Sequence, residues 1–383
     1  MKIERIEVEG HRDLARVDWS PADLTVLQGD GATALAEAVF ALSQVPRGWR
    51  DLADFWRDLA LPLRVTAPGE EAHTTRWRLT CVPRGSSDDH RRAEYELGIY
   101  PAAEGLPWEI RYEFLKRADD FDEVEVLRRE GAGAEYKLTA PQRRGATAGR
   151  RGRESFAGDI PVLGARQELF DDPAVRPFAQ PLACWTWYRG FDLAAARQAG
   201  VYAGFHGRLV ERGENLTNAL LNLVDIEATR DALHAAVRAA VTGHQGFEFE
   251  GADDGTVTLS HRRDDGRVAA PDLDDGVTRA LCAITAAMAP EAPALMWFEP
   301  AAWDVPASLG APLAQALLAR AAGSHVVLRD PPGWLQDALG AAQAGRSEGD
   351  ALRVERVTVE LGDRASALRA EKFGALTGLS PVP

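Results

Sequence analysis

The spacing of apolar positions divides the chain into strand-like and helix-like stretches. Residues 2–9 set Ile3, Ile6 and Val8 against Glu4, Arg5, Glu7 and Glu9. That alternation fits a strand with one buried face. Residues 14–19 read as its partner, and 24–28 as a third, more buried strand. From 34 to 44, Leu35, Val39, Phe40 and Leu42 fall at helical spacing, and 51–59 reads as another short helix. Strand-like runs return at 75–82, 93–100, 108–115, 122–128 and 136–138. Turn-rich segments separate them, as in an antiparallel meander.

The second half has a different rhythm. Residues 160–178 read as helix with loops, and 181–192 as an aromatic strand-like run whose Trp185, Trp187, Tyr188 and Phe191 belong to core or interface. Helical periodicity is strong over 215–241 and breaks near Asp225. Residues 247–250 and 256–261 form a hairpin pattern around Asp253, Asp254 and Gly255. Then helices at 276–288, 309–322 and 333–342 alternate with buried strands at 294–298 and 325–328, before an alternating strand at 354–361. Strand–helix alternation over 270–342 implies a parallel sheet, so the fold class is α/β.

Residues 24–40 carry the first chemical signal. A short apolar strand, a glycine turn (Gly29, Asp30, Gly31, Ala32, Thr33) and an amphipathic helix have the layout of a phosphate-cradling loop. A working loop of the form G-x-x-x-x-G-K-[ST] needs a lysine for the β/γ-phosphates. Here the loop is shorter and no lysine occurs between Lys2 and Lys116. Thr33 keeps a hydroxyl, but Asp30 would set a negative charge beside a phosphate. Like charges a few ångströms apart in a partly buried site repel by several kcal/mol. Gly29 and Gly31 do not complete a dinucleotide G-x-G-x-x-G, because Ala34 stands at the third position.

Composition narrows the rest. The 383 residues carry a net charge of −14, which argues against a surface that holds nucleic acid everywhere. The dense basic run is 142–154, with Arg143, Arg144, Arg150, Arg151 and Arg153; it reads as a solvated loop or as a phosphate-backbone contact. Cys81, Cys184 and Cys282 are unclustered, so no zinc site is expected and a reducing cytoplasm fits. No run approaches the ~18 apolar residues of a membrane span, and 1–6 lacks a signal-peptide core. The expectation is a cytoplasmic protein with no membrane contact. The eight histidines show no HExxH or triad spacing and read as structural or exposed. The pairs Asp253/Asp254 and Asp274/Asp275 read as turn and capping residues, with metal binding as the alternative.

The order of these pieces resembles the AAA-type ATPases related to RecF and SMC proteins, built on an ABC-type ATPase domain. Residues 1–14 are similar to the start of that family. Residues 24–31 stand at its P-loop strand, and 212–220 (Arg-Gly-Glu-Asn-Leu-Thr-Asn-Ala-Leu) resemble a helix start written G-x-N-L. Residues 273–281 resemble its signature helix L-S-D-G-T-x-R-x-L, and 294–300 its Walker B strand ending in E-P. Residues 325–331 stand where its switch histidine is usual. The resemblance implies a split ABC-type ATPase domain: 1–158 as an N-terminal half with an antiparallel β subregion, 159–245 as a helical and aromatic insert, and 246–383 as the C-terminal half. It also implies nucleotide contacts at Gly29, Asp30, Gly31 and Thr33, at Asp274, Asp275 and Gly276 of the signature, and at the switch position.

Each motif departs from the family pattern. The signature serine is Asp274, an acceptor in place of a donor. The switch histidine is Asp330. In the Walker B stretch, either Phe298 replaces the metal-binding acid and Glu299 remains as vestigial general base, or Glu299 is the metal acid and the base is gone. Lysine, one carboxylate, serine and histidine are all missing. The expected function is a degenerate ATPase that needs no cofactor and serves as scaffold or regulatory subunit. Its partner would be itself, an intact ATPase or a nuclease, in a nucleic-acid-related or phage-defence setting. Two alternatives are an active protein binding ATP and Mg²⁺ through an atypical loop, with Arg16 or Arg47 replacing the lysine, and a nucleic-acid-binding module using Arg143–Arg153.

Overall fold

The computed structural model describes residues 1–48, 52–55, 74–82, 92–100, 108–118, 123–138, 150–173, 175–201, 207–290, 292–346, 352–361 and 367–372. They group into two compact units. One takes Met1–Pro21, Gln28–Trp185 and Val357–Ala370; the other takes Ala22–Leu27, Thr186–Arg356 and Glu371–Pro383.

The first unit is built on eight antiparallel strands. These are β1 (Lys2–His11), β2 (Leu14–Trp19), β4 (Thr75–Val82), β5 (Arg92–Tyr100), β6 (Glu109–Ala118), β7 (Glu123–Glu130), β8 (Gly133–Leu138) and β9 (Arg150–Ser155), in the order β2-β1-β4-β5-β6-β7-β8-β9. Period-two patterning gives the sheet one apolar face, with Ile6, Val8, Trp77, Leu79, Tyr95 and Leu97 buried. The helix Ala32–Gln44, buried at every position except Thr33, lies against β1. The Trp77 indole donates to Ala38 O at 3.0 Å and ties sheet to helix. The opposite face carries ion pairs such as Arg5–Asp18 and Arg78–Glu96, each worth about 0–1 kcal/mol in solvent.

The expected loop at 142–154 differs in its last part, because Arg150–Ser155 is an edge strand paired with β8. Its inward position Gly152 lies under the ring of Tyr136, where a Cβ would come 2.2 Å from the ring. The strand therefore needs no apolar residue of its own to cover that face. Of the helix expected at 51–59, residues 52–55 are helical and the rest lies outside the described residues.

A buried charge cluster fixes this unit. Arg129 on β7 is fully buried and donates to the carbonyls of Gly131, Ala157, Gly158 and Ile160. Glu113 on β6, also fully buried, accepts from Val162 N, Leu163 N and the Tyr95 hydroxyl. Burial pushes the Glu113 carboxyl up and the Arg129 guanidinium down; the backbone donors and the opposite charge pull each back.

The second unit holds parallel strands. β10 (Thr186–Tyr188), β15 (Leu295–Phe298), β16 (His325–Arg329) and β3 (Leu24–Gln28) lie side by side in that order; of β17 (Val354–Glu360), Val357–Glu360 belong to the first unit. Leu24, Thr25, Val26 and Leu27 are all buried, as expected of a central parallel strand. Thr25 Oγ1 and Ala22 N both donate to Glu355 at 3.0 Å. The helices Leu216–Asp225, Glu227–Ala240, Asp275–Met288, Gly310–Ala321 and Gly333–Ala344 supply the core around this sheet. Asp274 caps the third of them by accepting from Val277 N at 2.8 Å. From Val277 onward that helix is buried except at Arg279, and each buried Leu or Ile contributes about 1.5–3 kcal/mol. A second, antiparallel sheet joins β11 (Gly200–Val201), β12 (His244–Gly251), β13 (Thr256–Arg263) and β14 (Gly266–Ala269). Among the described residues no helix is long and apolar enough to cross a membrane.

Arg129→Met is expected to lower stability by about 3–5 kcal/mol, since it leaves Glu113 buried without its counter-charge and frees four carbonyls. Urea unfolding followed by tryptophan fluorescence measures it. The exposed Arg128→Met should stay within about 0.5 kcal/mol of the parent.

Candidate functional site

The glycine turn after β3 belongs to the first unit. Gly29 has φ +102°, a conformation suited to glycine. Gly31 caps the following helix, which has no side-chain cap and no acid in its first turn. The N–H of Gly31 does not face open space. It donates to Val359 O of β17 at 3.2 Å, while Ala32 N donates to Gly29 O at 3.1 Å. The side chains of Val359, Leu361 and Leu14 crowd Gly31, so that a Cβ there would meet them at 2.5, 3.0 and 3.3 Å. A Cβ on Gly29 would lie 2.4 Å from Val359 O. Asp30 is exposed and Thr33 half-buried.

The arginines near this turn in sequence are engaged. Arg47 donates to Ala183 O, Trp185 O and Gln44 Oε1. Arg16 projects from β2 toward Glu7, 3.8 Å away. Arg12, not singled out from sequence, sits at φ +48° in the β1–β2 turn and pairs with Glu37 of the glycine-capped helix at 2.7 Å. The sequence signal for it was the position just before the β2 strand, where a turn was due.

The signature-like, Walker B-like and switch positions belong to the second unit. Asp274 spends its carboxylate on its own helix, as described above. Asp275 pairs with Arg197, and with Arg279 at 3.9 Å; Arg197 also donates to Thr278 Oγ1 at 3.1 Å. Gly276 lies one residue further on in the same first turn. Glu299 follows β15. Its backbone N–H donates to Tyr188 O at 3.1 Å. Its carboxylate accepts from the Trp187 indole at 3.0 Å and from Arg329 at 3.2 Å. Arg329 lies 3.4 Å from Asp330, which has φ +42° and donates its N–H to Leu27 O at 2.9 Å. Trp187 is further covered by the guanidinium of Arg189, 4.5 Å from its ring centre. Thus β10, β15 and β16 bring Glu299, Trp187, Arg329 and Asp330 together.

On the basic run, Arg151 and Arg153 are exposed on β9 and Arg153 pairs with Glu135 at 3.3 Å. Arg151 stands opposite Lys137, and neither has a carboxylate partner among the described residues. Arg150 begins the strand, while Arg143 and Arg144 lie outside the described residues. Also among the described residues, no group of His, Cys, Asp and Glu is arranged to hold a metal ion.

No protein-family model matches the chain, and no curated protein does. Solved structures do match in fold. An SMC head bound to the C-winged helix domain of ScpA is 9% identical, with 97% of this chain and 98% of that one covered at a TM-score of 0.53. An SMC head domain with an extended coiled coil, bound to the C-terminal domain of ScpA and derived from Pyrococcus furiosus, is 10% identical, with 97% and 96% covered at a TM-score of 0.52. The fold is that of the SMC head, an ABC-type ATPase fold.

Gly29→Ala is expected to cost about 1–3 kcal/mol from the left-handed backbone alone, with the overlap on Val359 O adding to it. Asp30→Ala, at the exposed position beside it, should change stability by less than about 0.5 kcal/mol. Paired denaturant melts of the two variants test how tightly β17 seats on the turn.

Proposed function

We propose that this chain is a RecF/SMC-like ATPase fold that has lost ATP hydrolysis and works as a scaffold or regulatory subunit for a protein partner. One observation carries the reading. The turn that would cradle phosphate has its Gly31 N–H bonded to Val359 O, and apolar side chains packed on Gly31. Phosphate binding at such a turn needs backbone N–H groups directed at the anion, helped by a lysine. Neither is present at Gly31, and the residues do not fit Mg·ATP.

The second unit supports the same reading. A general base must be free to take a proton from water. Glu299 is held by Arg329 and by the Trp187 indole, a fixed ion pair in place of a reactive carboxylate. Asp274 and Asp275 are engaged at their own helix start. That two SMC heads of the same fold were solved bound to ScpA domains favours a protein as partner. A nucleic-acid-related or phage-defence complex is the setting we assign, with no membrane contact.

Calorimetric titration with ATP and Mg²⁺ should give no heat, and ATP should leave the melting temperature unchanged. Magnesium-dependent phosphate release that disappears in Glu299→Gln would overturn the proposal in favour of an active ATPase with an unorthodox loop.

A second reading rests on Lys137 of β8 and Arg151 of β9. Lys137 and Arg151 stand opposite each other without a carboxylate partner among the described residues, and like charges directly opposite are destabilising unless an anion neutralises them. As a phosphate-backbone contact they predict single-stranded DNA binding that weakens steeply with salt. Replacing both by Gln should flatten that salt dependence by about two charge equivalents. Binding that is absent, or unchanged in the double variant, removes this reading.

A further inference from the structure

Three histidines outside every motif above form a continuous row in the second unit. His234 comes from the Glu227–Ala240 helix, His244 opens β12 and His261 lies within β13. His234 Nδ1 is 2.8 Å from His244 Nε2, and His244 Nδ1 is 2.7 Å from His261 Nε2. Phe247, directly opposite His261 in the hairpin register, packs against all three rings at 5.8, 5.0 and 5.5 Å between centroids. His244 and His261 are buried, whereas His234 is half-buried.

Proton counting assigns the row. Three neutral imidazoles have six ring nitrogens and three N–H protons. Two hydrogen bonds use four nitrogens and two protons. The third proton sits at one end, on His234 Nε2 or on His261 Nδ1. His261 Nδ1 is buried and makes no hydrogen bond among the described residues, and an orphaned buried N–H is the rarer and costlier choice. The proton therefore resides on His234 Nε2, where water can accept from it. All three rings are Nε2–H tautomers, and donation runs from His261 through His244 to His234.

We propose that this row is a proton-uptake site that accepts one proton with both hydrogen bonds intact and opens when it takes a second. The first added proton occupies the bare His261 Nδ1, and no bond is lost. A fifth proton on six nitrogens has no empty end to fill. It must set two N–H groups face to face, so one hydrogen bond between helix and hairpin breaks.

The surrounding charges act in both directions. Arg230, Asp231 and Arg238 face the row from the helix, Arg263 and Asp265 from β13 and its turn, and Asp274 from the start of the Asp275–Met288 helix. The aspartates favour a proton on the row and the arginines oppose it. Burial dominates: it pulls His234 below its ordinary range, His261 down to about 4 and His244 down to about 3. A base whose folded pKa lies below its unfolded one gives stability that is complete above about pH 6.5. That stability is lost as pH falls toward the folded values.

Two-bond ¹H–¹⁵N NMR of histidine-labelled protein at neutral pH should show three Nε2–H tautomers. On acidification one proton should enter with the amides of β12 and β13 still protected. The second should coincide with a rise of about tenfold or more in their exchange. His244→Phe cuts the row yet keeps an aromatic ring beside Phe247, and should reduce proton uptake across the acid transition. An Nδ1–H tautomer at His261, or two protons taken up with protection unchanged, would overturn the proposal. Should the variant not fold, the parent spectra alone decide.

Discussion

A single backbone hydrogen bond, Gly31 N–H to Val359 O, governs how the glycine turn can be read. A strand followed by a glycine turn and a helix is a generic anion cradle only while its N–H groups stay open. Once β17 supplies a carbonyl, and Val359 and Leu361 supply side chains, the turn becomes ordinary packing. The glycines are then required for steric reasons. Gly29 needs its left-handed backbone, and Gly31 needs its missing Cβ because Val359 and Leu361 occupy that volume.

Much of the fold was legible because its core strands are short continuous apolar runs. The 294–298 and 325–328 stretches lie as β15 and β16 beside β3, in the parallel order that strand–helix alternation implies. The break near Asp225 is the junction of two helices. β9 was illegible because its inward face is Gly152, covered by Tyr136 of the neighbouring strand, so the period-two signal resides in the partner. For the site, the absence of a lysine between Lys2 and Lys116 is visible in the sequence itself. The closure of the turn by Val359 is not, since it joins residues from opposite ends of the chain. Nor is the histidine row, whose members are 10 and 17 residues apart and aligned by a bulge between His244 and Gly246.

Arginine does structural work throughout. Arg129 holds four carbonyls, Arg320 reaches those of Ala287, Met288 and Pro290, and Arg47 those of Ala183 and Trp185. Several N–H donors on one rigid plane can gather oxygens from separate loop residues, which a lysine ammonium on a flexible stem does less well. The same residue type pairs with acids elsewhere, through Arg329 at Glu299, Arg197 at Asp275 and Arg12 at Glu37.

The chain passes from one compact unit to the other after Pro21, Leu27, Trp185, Arg356 and Ala370. The six residues Ala22–Leu27, which hold all of β3 but Gln28, are thus assigned to the second unit within a stretch otherwise belonging to the first. No single cut yields either unit whole. A gene fragment encoding one unit would have to be assembled from separated pieces.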